Sequence, residues 1–135
     1  MHSHKITAEI ELQFLDLDLS VCRLHPTSAL PPWAEDSRFL SITRTRDELS
    51  LICETSCLSD ERDFPAETGW TAMRVVGTLD FALTGILASI TVPLAEAAIS
   101  VFAVSTFDTD YILIRSTDQD QARRTLSEHF TVVRQ

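Results

Sequence analysis

The sequence lacks several features that would place it in a familiar functional class. It has only three glycines in 135 residues, and it contains no P-loop, GxGxxG, GxSxG or HExxH pattern. No apolar run approaches the roughly 18 residues that a membrane-spanning helix requires. The first residues include no apolar segment followed by a cleavage site. We therefore expect no signal peptide, no membrane partner and a cytoplasmic location.

Positive charge is also scarce. Eleven Lys and Arg residues stand against twenty Asp and Glu residues, which gives a net charge of −9. A surface this acidic repels nucleic-acid phosphates and anionic lipids, so we expect no nucleic acid as a partner. Most of the excess lies in residues 1–68, which hold 13 acidic and 6 basic residues.

Cysteine occurs in an odd number, as Cys22, Cys53 and Cys57. In a chain without an export signal these are expected to be free thiols. Their spacing lacks CxxC and the histidines are scattered, so we predict neither a metal site nor a cofactor. A thiol enzyme or small hydrolase would need a cleft that holds Cys22 or Cys53 beside a histidine such as His25. We predict no catalytic residues, and that enzyme is the alternative to be tested.

The first half of the chain predicts strands, a hairpin and loops. Apolar and polar residues alternate over residues 7–19, which indicates a strand. The phase shifts after Phe14, which indicates either a bulge or two strands. The other predicted elements are a hairpin of residues 39–44 and 48–53, and two loops over 25–37 and 54–69, with short helical turns after Pro31 and near 59–64.

The second half has the element order strand, helix, strand, strand, helix, strand. This is the order of a ferredoxin-like βαββαβ unit. Apolar periodicity predicts the first helix over residues 85–98, kinked or broken by the internal Pro93. The second helix is predicted over residues 118–130, with Asp118 as its N-cap. The other predicted features are strands over 70–76, 99–105, 110–115 and 131–134, and a core stripe of Ala122, Leu126 and Phe130.

The two halves together predict an α+β fold of tandem ferredoxin-like units, with antiparallel sheets and helices on one face. At 135 residues the chain suits one compact body, or two small units that share a core. We place a degenerate unit at residues 1–68 and a complete unit at residues 69–135. The repeat rests on element order, because the halves show no clear sequence identity.

Residues 93–114, PLAEAAISVFAVSTFDTDYILI, resemble the signature of ACT domains, which are small regulatory modules that bind amino acids. The segment is most similar to two-unit ACT proteins related to the CASTOR arginine sensors. That family shows a Pro-Leu-Ala-Glu helix end, then Ile-Ser-Val or Ile-Ser-Ile, then Ser-Thr-aromatic-x-x-Asp. The resemblance implies tandem ACT units, a sensory or regulatory role and no catalysis. It also implies an amino-acid ligand where two ACT units meet, which here calls for a homodimer.

By position, the resemblance places ligand binding at Thr84, Gly85, Ser100 and Asp110. The chemistry agrees, because a helix start after small residues offers N–H groups to a carboxylate and a turn aspartate offers charge to an ammonium group. Structural roles remain open for three of them. Gly85 would suit a helix start, Ser100 would fit under a helix, and Asp110 would bond its own turn.

Two questions stay open at the level of sequence. The residues that follow Gly85, which are Ile86, Leu87, Ala88 and Ser89, include no acid, so arginine as the ligand finds no partner for its side chain. The chain could also keep the ACT fold without binding a ligand. It would then be a protein-interaction module, with the acidic N-terminal half as its contact face.

Overall fold

A computed structural model describes residues 10–76 and 85–135 of the chain. They form two compact units. We call Leu17–Trp70 the inserted unit, because the other unit encloses it in sequence. The C-terminal unit consists of the residues up to Asp16 together with Thr71–Gln135.

The described strands and helices follow one another along the chain. The strands are β1 Glu11–Phe14, β2 Leu19–Leu24, β3 Ser41–Arg44, β4 Leu49–Glu54, β5 Ala66–Val75, β6 Val101–Ser105, β7 Asp110–Arg115 and β8 Thr131–Arg134, and the helices are α1 Ile86–Glu96 and α2 Gln119–Ser127. Three short 3₁₀ turns lie at Pro32–Asp36, Thr55–Cys57 and Ser116–Asp118. Within the described residues, no helix is long and apolar enough to cross a membrane.

The inserted unit has a ferredoxin-like sheet without the usual helices. Its strands pair in the order β3-β4-β2-β5, and all neighbours are antiparallel. Counted within the unit this is the order 2-3-1-4, which a split βαββαβ unit adopts. A complete βαββαβ unit has a helix between its first two strands and another between its last two. Here the described residues of those two connections, β2 to β3 and β4 to β5, contain only 3₁₀ turns. Trp33 from the first connection stacks on Phe64 from the second, with ring centroids 6.0 Å apart.

The C-terminal unit has the helices and one additional strand. Its strands pair in the order β6-β7-β5-β1-β8. β1 is antiparallel to β5 and parallel to β8. The apolar side of α1 and α2 packs on one face of this sheet, around Leu12, Ile90 and Leu126, each of which is fully buried. The predicted fold class is therefore confirmed.

The compact units of the structure differ from the units predicted along the sequence, because β1 belongs with the second half of the chain. The predicted division into residues 1–68 and 69–135 follows the order of elements along the chain. The compact units instead reflect which strands pair, and β1 forms its backbone hydrogen bonds with β5 and β8. The phase shift after Phe14 marks the end of β1, so of the two possibilities the chain adopts two strands.

Local differences from the predicted elements have identifiable causes. Of the kink or break predicted at Pro93, the break does not occur, because α1 runs through it to Glu96 with its apolar side buried. No helix forms near 59–64, where the Arg62 N–H closes a single turn on the carbonyl of Ser59 at 3.4 Å. The 3₁₀ turn lies at Thr55–Cys57 instead. Asp118 does occupy the N-cap position of α2, but its side chain makes no capping hydrogen bond.

Candidate functional site

The turn between β6 and β7 is tied to the end of β5. Thr106 donates its backbone N–H to the carbonyl of Thr109 at 2.8 Å, which closes the turn. The Thr109 hydroxyl donates to the carbonyl of Val75, also at 2.8 Å. Thr109 is only 6% exposed, so this bond lies in the interior. The turn is therefore held at a defined place beside the last residues of β5.

Asp110 begins β7 directly after this turn. It pairs in register with Ser105, the last residue of β6. The Ser105 hydroxyl donates to a carboxylate oxygen of Asp110 at 2.5 Å. This bond orients the carboxylate and leaves its remaining lone pairs able to accept from a further donor such as an ammonium group.

Gly85 lies immediately before α1. Its φ of 80° and ψ of 0° are in the left-handed region, which glycine enters without the steric cost other residues bear. No side chain of the described residues caps this helix start. The first N–H groups of a helix lack partners within the helix, so they can donate to a carboxylate that binds there. Thr84 lies outside the described residues.

Ser100 is exposed and precedes β6. In the β6–β7 hairpin, Val101 pairs with Ile114 and Ser105 with Asp110. Ser100 is thus at the opposite end of the hairpin from Asp110, at roughly 17 Å for five residues of strand. No small amino acid can contact both residues of one chain.

The direction of α1 places Gly85 near the Asp110 end. Ile99 donates its N–H to the carbonyl of Leu94 at 2.9 Å, so α1 ends where β6 begins. Because α1 packs along the sheet, its start lies toward the end of the sheet where β6 finishes. The fold therefore groups Gly85 with Asp110 and sets Ser100 apart.

Two residues that support this end of the unit are not distinguished by the sequence. Ser105 orients Asp110, and Thr109 fixes the turn to β5. Ser105 begins the Ser-Thr-aromatic-x-x-Asp signature but was not predicted as a site residue, and Thr109 belongs to a polar run that predicts only a turn. Ser105 could have been identified from the sequence by its position opposite Asp110 in the hairpin, which follows once the length of the turn is known.

The settings of the cysteines bear on the thiol-enzyme and metal-site alternatives. Among the described residues, no group of three or more His, Cys, Asp and Glu is placed to hold a metal ion. Cys22 and Cys53 are buried. His25 is exposed, and its Nδ1 lies 2.9 Å from the hydroxyl of Thr27.

Family models match both parts of the chain. A model of the ACT domain matches residues 66–128. A second model, which describes an N-terminal domain, matches residues 18–61. The break between the two matches falls just before β5, which continues from the inserted unit into the C-terminal unit.

Several proteins are similar in sequence. CASTOR3P from Homo sapiens is 32% identical over 107 residues, which cover 71% of this chain and 66% of that protein. The human protein named cytosolic arginine sensor for mTORC1 subunit 1 is 30% identical over 107 residues, or 73% of this chain and 32% of the sensor. The chain thus spans about a third of the length of that sensor.

Solved structures share the fold. Protein Atu0741 from Agrobacterium tumefaciens matches with a TM-score of 0.86 and 35% identity, over 93% of both chains. The regulatory subunit of aspartate kinase from Thermus thermophilus matches with a TM-score of 0.60 over 92% of this chain and 98% of that one. Its 13% identity supports the fold alone.

Proposed function

From the premise that this chain belongs to the ACT-domain family, we propose that it is a regulatory protein that binds an amino acid where two copies of its C-terminal unit meet. The observation that carries the proposal is the 30% identity to a protein named as an arginine sensor, over 73% of this chain. We also propose a cytoplasmic location, because that relative is named as cytosolic.

The described geometry supports the proposal at one end of the C-terminal unit. An α-amino acid carries a carboxylate and an ammonium group a few ångströms apart. The uncapped start of α1 at Gly85 suits the first group, and Asp110 suits the second. Thr84 and Ser100 complete the proposed set of ligand-binding residues. We propose no cofactor, no metal and no catalysis.

A homodimer would resolve the position of Ser100. β6 pairs only with β7 among the described strands, so its other edge is available for a second copy. A two-fold axis makes β6 antiparallel to its copy. That arrangement sets Ser100 of one copy beside the Ser105 and Asp110 end of the other. The ligand would then contact Gly85 and Asp110 from one copy and Ser100 from the second.

A thermal-shift screen against the twenty amino acids tests this function. We expect one or a few of them to raise the melting temperature, because a ligand that binds only the folded state stabilises it. At 100 times its dissociation constant the gain is about 2.7 kcal/mol. Asp110→Ala should remove the shift, since the ammonium group loses its partner.

Asp108→Ala is the matched control, because Asp108 lies in the same turn and is exposed. It should leave the shift in place, and both variants should unfold at nearly the wild-type temperature without ligand. Sizing should show a dimer for the wild-type chain. No shift with any amino acid, or a monomer at micromolar concentration, would count against the proposal.

The interaction module is the second candidate, and one observation favours it. The inserted unit has no α-helix among its described residues, and residues 17–70 carry ten acidic and five basic side chains. Such a unit offers an acidic surface to a basic protein partner. This function predicts a dimer and a partner in pull-down that amino acids do not affect.

A further inference from the structure

One face of the sheet in the inserted unit is covered by loops instead of helices. The strand residues on this face, which include Leu24, Leu49 and Leu51, are buried. The apolar residues that pack on them come from the connections β2 to β3 and β4 to β5, and each is only half-buried: Leu30, Trp33, Leu40, Leu58 and Phe64. We call these five residues and the strand residues beneath them the loop-covered face.

The C-terminal unit shows how helices cover the same kind of sheet. There α1 and α2 pack on the strands, and Ile90, Leu94 and Leu126 of these helices are fully buried. Residues 17–70 of the inserted unit, all of which are described, contain no α-helix. Its outermost apolar residues therefore keep part of their surface in water, and a helix from outside the unit can bury that surface.

The loop-covered face is held in one shape by contacts of its own. The Trp33 ring stacks on the Phe64 ring with centroids 6.0 Å apart and planes 15° apart, which joins the two connections. The Arg44 guanidinium donates to the carbonyls of Pro26 and Ser28, which ties the first connection to β3. A face that is already ordered loses little conformational entropy when a partner binds.

An exposed aliphatic side chain extends this face at its β3 edge. Ile42 pairs in register with Leu51, so their side chains project from the same side of the sheet. Leu51 is fully buried, whereas Ile42 is 46% exposed. The loop-covered face therefore includes an apolar contact point that the inserted unit does not cover.

Acidic residues border the aromatic stack. Five exposed carboxylates lie in the two connections, within four residues of Trp33 or Phe64: Glu35, Asp36, Asp60, Glu61 and Asp63. Within residues 32–36 and 58–64, the basic residue is Arg62, whose guanidinium donates to the carbonyl of Ser59 at 3.3 Å. An apolar centre with a negative border complements a partner that carries apolar and basic residues side by side.

We propose that the loop-covered face docks a basic amphipathic helix of a partner protein. The apolar side of that helix packs on Trp33, Phe64 and Ile42, and its Lys and Arg residues reach the acidic border. This inference rests on the interaction-module function proposed above and names the contact surface for it. It does not depend on the binding of an amino acid.

A synthetic peptide serves as the probe. It has about 18 residues, which make about five helical turns. It consists of Leu and Lys, with Leu at positions i, i+3, i+4 and i+7 so that one side of the helix is apolar. A shuffled peptide of the same composition, with Leu spread around the helix, is the control for charge.

The full chain, labelled with ¹⁵N, is titrated with each peptide at physiological salt. We expect the amphipathic peptide to shift the indole N–H resonance of Trp33 and the backbone amide resonances of Ile42 and Phe64. It should bind at least about tenfold more tightly than the shuffled peptide, because only one of them presents an apolar side.

Charge reversal tests the acidic border. Asp60→Lys with Glu61→Lys should weaken binding of the amphipathic peptide about tenfold, because two attractive contacts become repulsive. Glu96→Lys with Glu128→Lys is the matched control, since it makes the same charge change at exposed positions of the C-terminal unit. It should change binding by less than about twofold, because salt screens distant charges.

A second pair of variants tests the apolar contact. Ile42→Thr keeps a β-branched residue in β3 and should weaken binding about fivefold, because apolar area buried by the peptide is lost. Val92→Thr is its control, at a side chain of α1 that is 52% exposed. It should leave the affinity unchanged.

Several outcomes would overturn the proposal. Equal affinity for the two peptides, or equal weakening by the two charge reversals, would show that binding follows net charge alone. Shifts confined to the C-terminal unit would also overturn it. Shifts of Trp33 and Ile42 that depend on protein concentration without peptide would show that a second copy occupies the face.

These results can be told apart from a failure of the proposed functions. Shifts on a different acidic surface of the inserted unit would overturn the assignment of this face and leave the interaction-module function in place. A negative amino-acid screen would concern the ligand site alone.

Discussion

Glu54, the last residue of β4, fixes the connection between β2 and β3 in the inserted unit. Its carboxylate accepts from the backbone N–H of Arg38 at 2.6 Å and from the Arg38 guanidinium at 2.9 Å. The Glu54 N–H in turn donates to the Ser37 hydroxyl at 2.8 Å. The Arg38 side chain is the main cause of a pKa for Glu54 below its ordinary value. One carboxylate thus connects a strand end to the loop before β3.

This lowered pKa predicts a pH dependence of stability. A carboxyl group with a depressed pKa in the folded state contributes fully above its unfolded pKa, and the contribution disappears as pH falls through the folded value. Glu54→Gln should cost about 1 kcal/mol at pH 7, since Arg38 is 69% exposed and solvent weakens the pair. Below about pH 4 the difference between the variant and the wild type should begin to shrink, and it should disappear once the pH is below the folded-state pKa of Glu54. Urea unfolding at a series of pH values measures both.

Glu61→Gln is the control for this prediction, because it removes the same charge at an exposed position. It should change stability by less than about 0.5 kcal/mol at either pH. A constant difference between Glu54→Gln and wild type from pH 7 to pH 3 would show that the Arg38 contact does not depend on the carboxylate charge.

At the scale of the element, α1 ends in a conformation that suits glycine but contains alanine. Ala98 has a φ of 60°. Its N–H donates to the carbonyl of Ala95, and the N–H of Ile99 donates to Leu94, both at 2.9 Å. These two bonds form a Schellman motif, in which the residue with positive φ is usually glycine.

Ala98→Gly should therefore stabilise the protein, by up to about 1 kcal/mol, because it removes the steric cost of the left-handed conformation. Ala95→Gly, in the exposed part of the same helix, should destabilise by about 1 kcal/mol. Denaturant unfolding of the two variants tests the signs. If both substitutions destabilise equally, the helix does not end in the conformation described.

The bounds of α1 were largely predictable from its local sequence, but its continuation through Pro93 was not. Apolar spacing predicts α1 to within two residues at each end, because Ile86, Ile90 and Leu94 recur at helical intervals. Pro93 should disfavour the helix locally, yet the helix continues through it. Burial of Ile90 and Leu94 on either side outweighs one missing backbone hydrogen bond.

At the scale of the whole molecule, the C-terminal unit depends on a strand from the other end of the chain. β1 supplies fully buried Leu12 to the core and occupies the place between β5 and β8. Without β1 the inner edges of both strands would lack their backbone partners. A fragment of residues 69–135 should therefore fail to fold, although it contains every element of a βαββαβ order.

Circular dichroism and amide-proton dispersion of that fragment measure the effect. In the full chain, Leu12→Ala should destabilise by about 2–5 kcal/mol through a core cavity, whereas Glu11→Ala, on a half-buried neighbour, should cost less. A stably folded fragment, or equal costs for the two substitutions, would show that β1 is an accessory to this unit.

The sequence by itself determined the types and order of the elements in the C-terminal unit and the absence of familiar catalytic motifs. These depend on spacing within a few residues, which the side chains of one helix, strand or turn specify directly. The candidates Thr84, Gly85, Ser100 and Asp110 came instead from the resemblance to ACT domains. Only the tertiary structure decided that β1 lies between β5 and β8 and that Ser100 is separated from Asp110. Each of these depends on which distant strands pair and in what register, and that choice reflects burial summed over the whole unit.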